Sequence, residues 1–281
     1  MEARSQLTPG KCRSVGKGVR RIVAGNAGMM TGPGTNTYLL GEREVAVVDP
    51  GPDDAQHLDA ILAAAGEARI RWVVATHTHR DHSPLAAELA RRTRATLIGL
   101  PPPRDGRQDE SFVPQKQPAD GERLKLGDIE LVAIRTPGHA SNCVCYFLAQ
   151  ERLLITGDHV LEGVSPVILP PDGSMADYLR SIDKLFGYDF EKIAPGHGDI
   201  MDHGKRVLEA LRAHRLAREA KVLRNLGELG EASIDRLIPK VYDDVPPDRH
   251  QWARLTLQAH LIKLVDEGRV SELNGIWRCR P

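Results

Sequence analysis

The residues best suited to chemistry lie close together at positions 76–83, which read Thr-His-Thr-His-Arg-Asp-His-Ser. This segment follows an apolar run at 72–75, typical of a buried strand, and precedes 85–92, which has the pattern of a helix. Three imidazoles and one carboxylate therefore lie at a strand-to-helix corner. Because zinc binds these side-chain types, the segment predicts a metal site.

The spacing divides the four side chains into two pairs. His77 and His79 are two residues apart, so in extended chain both lie on the same side and can contact one ion. Asp81 and His82 come after the turn and point to a neighbouring position. Two metals about 3.5–4 Å apart that share a water have this arrangement. Because two ions need more than four ligands, we expect further ligands elsewhere in the chain.

Three further candidate ligands follow predicted strands and lie beside glycine. They are His139, Asp158 and His197. Glycine permits a tight turn and a close approach of backbone to a bound ion. One such corner would be weak evidence, but three of them together with the histidine segment predict a single multi-ligand centre.

Between residues 19 and 203 the patterns of strand and helix alternate. Strands are predicted at 19–24, 37–40, 44–48, 72–75, 95–99, 124–126, 129–135, 143–148, 152–156 and 192–194, and helices at 54–65, 85–92 and 175–186. The glycine-rich loop 25–36 suits a close approach to a ligand or simple flexibility. The proline-rich segment 101–118 has the length of a binding loop or lid, or of a mobile surface loop.

The C-terminal part has a different pattern of elements. Helices are predicted at 205–226, 233–241 and 248–267, with Ser233 and Asp248 as N-caps. Two short strands, 269–273 and 276–279, then flank an Asn-Gly turn, which is a strong hairpin signal. Three helices and a hairpin predict a winged helix. We therefore expect a basic N-terminal tail at 1–18, a catalytic domain at 19–203 and a winged-helix domain at 204–281.

Composition limits the class of protein. The 281 residues are 41% apolar, enough for a large buried core, and their formal net charge of zero argues against a chain-wide field for nucleic acid or membrane. The four cysteines follow no disulfide or zinc-ribbon spacing. No apolar run approaches the roughly 18 residues of a membrane span, and the N-terminus lacks an apolar signal-peptide core. We expect a cytoplasmic protein that does not bind membranes.

The histidine segment, followed in order by His139, Asp158 and His197, resembles the motif signature of the metallo-β-lactamase superfamily. The resemblance covers about residues 19–203. It implies an α/β (α+β) fold, a four-layer αββα sandwich, here followed by the winged helix. It also implies the division of metal ligands: His77, His79 and His139 on one ion, and Asp81, His82 and His197 on the other, with Asp158 bridging them.

The same resemblance implies a mechanism. It predicts two zinc ions per chain, with manganese or iron as alternatives, and a metal-bridging hydroxide as the nucleophile. Asp81 is the candidate for proton transfer. Asp49, within an Asp-Pro-Gly segment, is expected to orient a ligand histidine from behind. Asn36 and His159 are candidates for substrate contact, although a purely structural role fits His159 equally well.

The C-terminal pattern and the glycine loop at 32–39 resemble the β-lactamase-like endoribonuclease family, which joins this sandwich to a winged helix. That resemblance implies cleavage of single-stranded RNA. Residues 204–281 contain 15 Lys and Arg against 11 Asp and Glu, a difference of 15 − 11 = +4 that favours phosphate contact. With only 4% aromatic residues, however, the chain offers few side chains on which bases could stack.

Two alternatives stay open. One is a glyoxalase-II-like thioester hydrolase, which shares all seven ligands but lacks the C-terminal hairpin. The other is a hydrolase of small esters or lactones whose winged helix is an oligomerisation module. The expected partners are therefore single-stranded RNA, another phosphodiester or a small acyl substrate, with homo-oligomerisation as a further expectation.

Overall fold

The computed structural model describes residues 7–280. Within them the chain forms two compact units. The first contains the residues through Thr136 together with Asn142–Val164 and Phe186–Lys205, and the second contains Pro137–Ser141, Ser165–Leu185 and the residues from Arg206 onward. The second unit therefore takes in more of the chain than the predicted winged-helix domain, including the short segment that carries His139.

The first unit contains a six-stranded sheet. Its strands follow the order of the chain: β1 (Arg13–Gly16), β2 (Val19–Val23), β3 (Asn36–Leu40), β4 (Glu44–Val48), β5 (Arg69–Val74) and β6 (Thr96–Ile98). Neighbouring strands from β1 to β4 are antiparallel to one another, whereas β4, β5 and β6 run parallel. Parallel neighbours place the carboxyl ends of β4 and β5 at one edge of the sheet, where polar side chains can meet.

Strand β1 corrects one prediction. It lies inside the segment expected to be a solvated tail, whose residues 1–6 fall outside the described part of the chain. The strand is a short edge that pairs antiparallel with β2. Its sequence, Arg-Ser-Val-Gly, has one large apolar residue and no alternation, so hydrophobic pattern gave no signal for it.

A second, five-stranded sheet completes the sandwich of the first unit. Its strands are β7 (Arg123–Leu126), β8 (Ile129–Arg135), β9 (Val144–Leu148), β10 (Leu153–Gly157) and β11 (Lys192–Pro195), in the order β11-β10-β9-β8-β7. Strands β10 and β11 are parallel, and the other pairs are antiparallel. The three segments that carry the later candidate ligands therefore follow the ends of β8, β10 and β11.

Alternation along β4 explains how the layers hold together. Val45 and Val47 pack with helices α1 (Ala55–Ala65) and α2 (Leu85–Thr93), whereas Ala46 and Val48 pack with residues of the second sheet. Successive side chains of a strand point to opposite faces, so this strand is buried on both sides. The predicted α/β sandwich is confirmed, and the helix predicted at 54–65 is present as α1, with Asp54 as its N-cap and Gly66 as its C-cap.

The second unit contains the winged helix. Its elements are α3 (Met175–Leu185), α4 (Gly204–Leu229, of which the first two residues belong to the first unit), α5 (Ile234–Val241), α6 (His250–Asp266), and strands β12 (Glu231–Ser233), β13 (Val270–Leu273) and β14 (Ile276–Cys279) in the order β12-β14-β13. Ser233 caps α5 as predicted, with its side chain accepting from the backbone N–H of Arg236. The other predicted cap is wrong, because Asp248 lies in a 3-10 turn and Arg249 precedes α6 without a side-chain cap.

Two global features follow from these elements. Among the described residues no helix combines the length and apolar character needed to cross a membrane. None of the four cysteines, all of which lie within the described residues, forms a disulfide. Cys143, directly before β9, and Cys145, on β9, are buried. The protein thus relies on its apolar cores, rather than on disulfides, for stability.

Candidate metal centre

The corner after β5 presents the histidine segment toward the ends of the neighbouring strands. The structure gathers the seven predicted ligands into two groups whose ligand atoms lie within 4.8 Å of one another: His77, His79 and His139 in the first, and Asp81, His82, Asp158 and His197 in the second. The division matches the one that the motif resemblance implies. Asp158 belongs to the second group, and its action as a bridge to the first stays a prediction.

In the first group the ring nitrogens converge. Nε2 of His77 lies 2.9 Å from Nδ1 of His79, so a period of two in extended chain does place both rings at one point. Nδ1 of His139 lies 2.7 Å from the carbonyl oxygen of Val167. Because a carbonyl only accepts, His139 must donate through Nδ1, and its Nε2 then carries the lone pair that a metal needs.

In the second group two imidazoles face two carboxylates. Nε2 of His82 lies 3.4 Å from Oδ2 of Asp81 and 3.3 Å from Oδ1 of Asp158, and Nε2 of His197 lies 3.1 Å and 3.3 Å from Oδ2 of the same two residues. Neither Nε2 atom has a partner with hydrogen-bonding geometry, although both are buried. Buried polar atoms without such partners are uncommon, and a coordinated ion would satisfy them.

In His82 and His197 the other ring nitrogen, Nδ1, contacts an oxygen atom that orients the ring. Nδ1 of His82 lies 3.0 Å from Oδ2 of Asp49, and Nδ1 of His197 lies 3.2 Å from the carbonyl oxygen of Gly34. Metal-binding histidines commonly donate through the non-coordinating nitrogen in this way. The contact expected of Asp49 is therefore present in the structure.

Asp49 also orients a histidine of the first group through Thr76. Its two carboxylate oxygens accept from the backbone N–H and the hydroxyl of Thr76, each at 2.7 Å. Since that hydroxyl donates to Asp49, its oxygen can accept from Nδ1 of His77, which is 3.1 Å away. One buried carboxylate, 2% exposed, thus supports ligands of both groups.

Glycine permits the close approach that the second group needs. A Cβ added at Gly196 would lie 2.3 Å from Oδ1 of Asp158 and 2.7 Å from Cε1 of His82, and one at Gly157 would lie 2.3 Å from Oγ1 of Thr76. Gly157 also has a φ of +49°, a conformation that other residues rarely adopt. The glycines noted beside the candidate ligands are therefore required by space and conformation.

The carboxylates and imidazoles of the second group strongly shift one another's pKa values. Burial alone would raise the pKa of Asp81 and Asp158, but the imidazoles facing them hold both pKa values well below the usual carboxyl range. Burial alone would lower the pKa of His197, but Asp158 and Asp81 raise it to about 9, and the same carboxylates raise the His82 pKa well above its ordinary value. Two carboxylates therefore stay anionic, which is the form that binds a cation.

The donor atoms fit two divalent ions. The first group offers three imidazoles and the second offers two imidazoles and two carboxylates, which are ligand types of zinc and of other borderline divalent metals. The unsatisfied Nε2 atoms of His82 and His197 face inward, toward the carboxylates, as ligands of one ion would. The arrangement is that of a candidate binuclear centre.

The two predicted substrate contacts stay predictions, and the structure buries both side chains. The Asn36 side chain is fully buried and donates to the carbonyl oxygens of Pro195 and Gly198, both at 2.9 Å. His159 is likewise fully buried. Neither side chain is exposed to an incoming substrate. Asn36 instead ties β3 to the loop that carries His197, a structural task that its position in a glycine-rich loop did not indicate.

Residues around the centre that spacing did not reveal act mainly through backbone atoms. The carbonyl oxygens of Gly34 and Val167 orient His197 and His139, and Oγ1 of Thr35 lies 3.4 Å from Oδ2 of Asp81. A carbonyl leaves no trace in residue type, so no sequence signal could have found the first two. Thr76, directly before the first histidine, was the one detectable side chain.

Comparison with known proteins agrees with this geometry. Residues 30–197, more than half of the chain, match the family model described as the metallo-beta-lactamase superfamily. The chain belongs to the metallo-beta-lactamase superfamily. Residues 233–277 match a second model, the beta-lactamase associated winged helix domain. The chain is therefore a superfamily hydrolase with a C-terminal winged-helix domain, as its sequence motifs predicted.

Curated relatives span both parts of this hydrolase. A protein named beta-lactamase-like protein 2 homolog from Caenorhabditis elegans is 29% identical over 255 residues, which cover 88% of this chain and 82% of the relative. A protein named atrochrysone carboxyl ACP thioesterase from Aspergillus fumigatus is 30% identical over 245 residues, covering 82% and 75%. Similarity thus extends beyond the sandwich into the C-terminal region.

Solved structures share the whole fold. A beta-lactamase domain protein from Burkholderia ambifaria has a TM-score of 0.82 at 20% identity, and covers 98% of this chain and 97% of its own. A metallo-beta-lactamase family protein from Thermus thermophilus has a TM-score of 0.78 at 24% identity, covering 95% and 100%. At these identities the likeness establishes the fold of the superfamily hydrolase and nothing about its substrate.

Proposed function

We propose that this superfamily hydrolase is a binuclear zinc enzyme that cleaves acyl thioesters. The observation that carries the proposal is its 30% identity to a fungal ACP thioesterase over 82% of this chain. All seven side chains of the two ligand groups are present, so the chemistry of such an enzyme has its required parts. This order of preference differs from the sequence-based expectation, which placed single-stranded RNA first.

The ions would be held by the two groups described above. When bound, two zinc ions lower the pKa of water and polarise a carbonyl oxygen under attack. Asp81 has the most exposed side chain of the second group, 26% against 0–11% for the other three. We therefore assign it the contact with the reacting water and the transfer of a proton at its carboxylate.

A cleft beside the histidine segment favours a substrate without many phosphates. It has a volume of about 430 Å³ and is lined by Asp53, Arg80, Asp109 and Glu110, among others. Three acids against one arginine disfavour the approach of a polyanion such as RNA. The acyl and thioester groups, which are the part of such a substrate that reacts, are neutral and meet no such opposition.

Cleavage of single-stranded RNA is the second candidate, favoured by the winged helix and by the +4 charge of residues 204–281. The charges in a cleft beside the β13–β14 hairpin argue against RNA cleavage. Arg254 there is paired with Asp235, and Glu272 lines the same cleft. The acids beside Arg254 offset its charge, so this cleft has little net positive charge to attract phosphates.

Zinc, rather than manganese or iron, is proposed because imidazoles make up five of the seven ligands. The lack of disulfides among the four cysteines, all within the described residues, supports a reducing compartment and hence the proposed cytoplasmic location. The third candidate, a hydrolase of small esters or lactones that assembles through its winged helix, is tested by including such substrates and by gel filtration of the full chain.

The test is a substrate panel with the zinc-loaded protein. It contains an acyl-coenzyme A, an acyl glutathione, a lactone, bis(p-nitrophenyl) phosphate and a short single-stranded RNA. We expect the largest kcat/KM for a thioester, and loss of that turnover in His79→Ala. RNA cleavage that disappears in His79→Ala, with no thioester turnover in the wild type, would reverse the order of the two candidates.

A further inference from the structure

The orientation of ligand His139 depends on one backbone carbonyl. Nδ1 of His139 donates to the carbonyl oxygen of Val167 at 2.7 Å. This bond fixes both the ring plane and the tautomer that leaves Nε2 for a metal. Whatever holds the peptide after Val167 in place therefore controls the third ligand of the first group.

Two side chains of the winged-helix unit hold that peptide and the peptide before it. The guanidinium of Arg215, on α4, donates to the carbonyl oxygen of Pro166. The backbone N–H of Ile168 donates to Oγ1 of Thr256, on α6, at 3.4 Å. Arg215 and Thr256 are 3% and 6% exposed, so neither is a solvated surface residue.

Arg215 supports the His139 loop by a second route. Its guanidinium lies over the ring of Tyr178, with a centroid distance of 5.1 Å. The backbone of Tyr178 is so close to Gly138 that an added Cβ there would be 2.4 Å from the Tyr178 Cα atom. Ser174 and Ser181, at the start of α3 and within it, bond the carbonyl oxygens of Gly138 and Pro137, both at 2.8 Å.

We propose that Arg215 and Thr256, both in the winged-helix unit, are positioning residues for His139. All the supporting contacts lie within that unit, which is why residues 137–141 cluster with it. The four ligands of the second group all belong to the first unit and do not use these contacts. The inference rests on the metal assignment but not on the identity of the substrate.

Metal binding tests the proposal without any assay of turnover. Zinc affinity is measured by competition with a chromophoric chelator for the wild type, Arg215→Gln and Thr256→Val. Loss of a group that orients a metal ligand typically costs 10–100-fold in affinity. We expect one of the two ions to bind about tenfold more weakly in each variant and the other to keep its wild-type affinity.

Three control variants make the result specific. Thr256→Ser keeps the hydroxyl and should restore wild-type binding. Arg212→Gln removes an exposed arginine of the same helix, which pairs with Asp183, and should change nothing. His139→Ala should abolish binding of the same single ion. If His139→Ala binds both ions normally, the ligand assignment fails, a result distinct from failure of the positioning role.

The proposal is overturned if Thr256→Val and Arg215→Gln bind both ions as the wild type does, or if they weaken both ions equally. Equal weakening would indicate general loosening of the fold. Should Arg215→Gln fail to fold, the comparison of Thr256→Val with Thr256→Ser decides, because Val keeps the size and shape of Thr without the hydroxyl that accepts from Ile168, whereas Ser keeps that hydroxyl.

Discussion

Asp49 supports ligand histidines of both metal groups with one buried carboxylate. It contacts His82 directly and His77 through Thr76, and it does so from a backbone conformation with a φ of +50°. Positive φ is rare for residues other than glycine and indicates a constraint imposed by the surroundings. At this residue, charge, geometry and backbone conformation all serve the orientation of the ligands.

Asp49→Asn should therefore weaken metal binding while the fold persists. An amide nitrogen cannot accept from the Thr76 hydroxyl or from Nδ1 of His82, so both rings lose part of their orientation. We expect zinc affinity to fall about 10–100-fold, measured by chelator competition. Asp53→Asn, an exposed neighbour, is the matched control. Wild-type affinity in Asp49→Asn would show that the rings are held by packing alone.

Gly196→Ala should damage the second group through space alone. The new methyl would lie 2.3 Å from Oδ1 of Asp158 and 2.7 Å from Cε1 of His82, closer than atoms can approach without movement. We expect loss of one bound ion, measured by elemental analysis. The control, Gly227→Ala on α4, meets no atom within 4 Å and should stabilise its helix by about 1 kcal/mol. An unchanged metal content in Gly196→Ala would contradict the packing described here.

His57 should make stability depend on pH in the acid range. Burial lowers its pKa to about 4, an effect that Asp54 partly opposes. The unfolded chain binds a proton near pH 6.5, so the stabilisation is complete above that pH and is lost as pH falls toward 4. The difference is at most roughly 3 kcal/mol. Unfolding by urea should show this loss in the wild type.

His57→Gln provides the comparison, because Gln can donate to Oγ1 of Thr37 as His57 does at 2.8 Å but does not titrate. Its stability should change less between pH 6.5 and 4. Identical pH profiles for the two proteins would mean that His57 is not the group responsible.

At the scale of elements, short-range pattern predicted most of the fold. The strands and helices that carry ligands have strong apolar alternation or clear caps, and they lie within a few residues of their predicted bounds. Strands β1 and β12 were not predicted, because each is a short edge strand with little apolar content. Asp248 was placed as a cap because residue type cannot distinguish an N-cap from a preceding 3-10 turn.

The loop 101–118 illustrates a limit of composition. It is largely irregular, as predicted, yet the part next to the histidine segment is anchored. The backbone N–H of Asp109 donates to the carbonyl oxygen of Thr78 at 2.8 Å, and Ser83 donates through its hydroxyl to Oδ2 of Asp109 at 2.6 Å. These bonds connect residues about 30 positions apart, which pattern cannot foresee. This part of the loop therefore forms a fixed wall of the cleft beside the centre.

Asp109→Ala should make the anchored part of loop 101–118 more mobile. The variant loses the bond to Ser83 and those that the carboxylate makes to Ser111. We expect faster proteolytic cleavage within 101–118 and a higher KM at little cost in metal content. Asp105→Ala, whose carboxylate has a purely local bond to Arg107, is the control. Equal protease resistance in both variants would show that other contacts hold the loop.

At the scale of the whole molecule, the seven candidate ligands come from segments that are far apart in the sequence. Six of the seven candidate ligands belong to the first unit and His139 to the second. Sequence spacing located all seven, because ligand chemistry restricts residue types and the strand ends bring them together. The positioning role proposed for Arg215 and Thr256 could not be predicted in the same way. It acts through the carbonyl of Val167, whose neighbours in space are distant in sequence.

The binuclear assignment is tested most directly by elemental analysis of the purified chain and of His79→Ala, each after zinc loading and removal of excess metal. The wild type should retain two ions per chain. His79→Ala should retain at most one, lose nearly all hydrolytic activity and keep its fold by circular dichroism, since His79 lies on a loop at the edge of the core. Two ions and full activity in His79→Ala, or no retained metal in the wild type, would contradict the assignment.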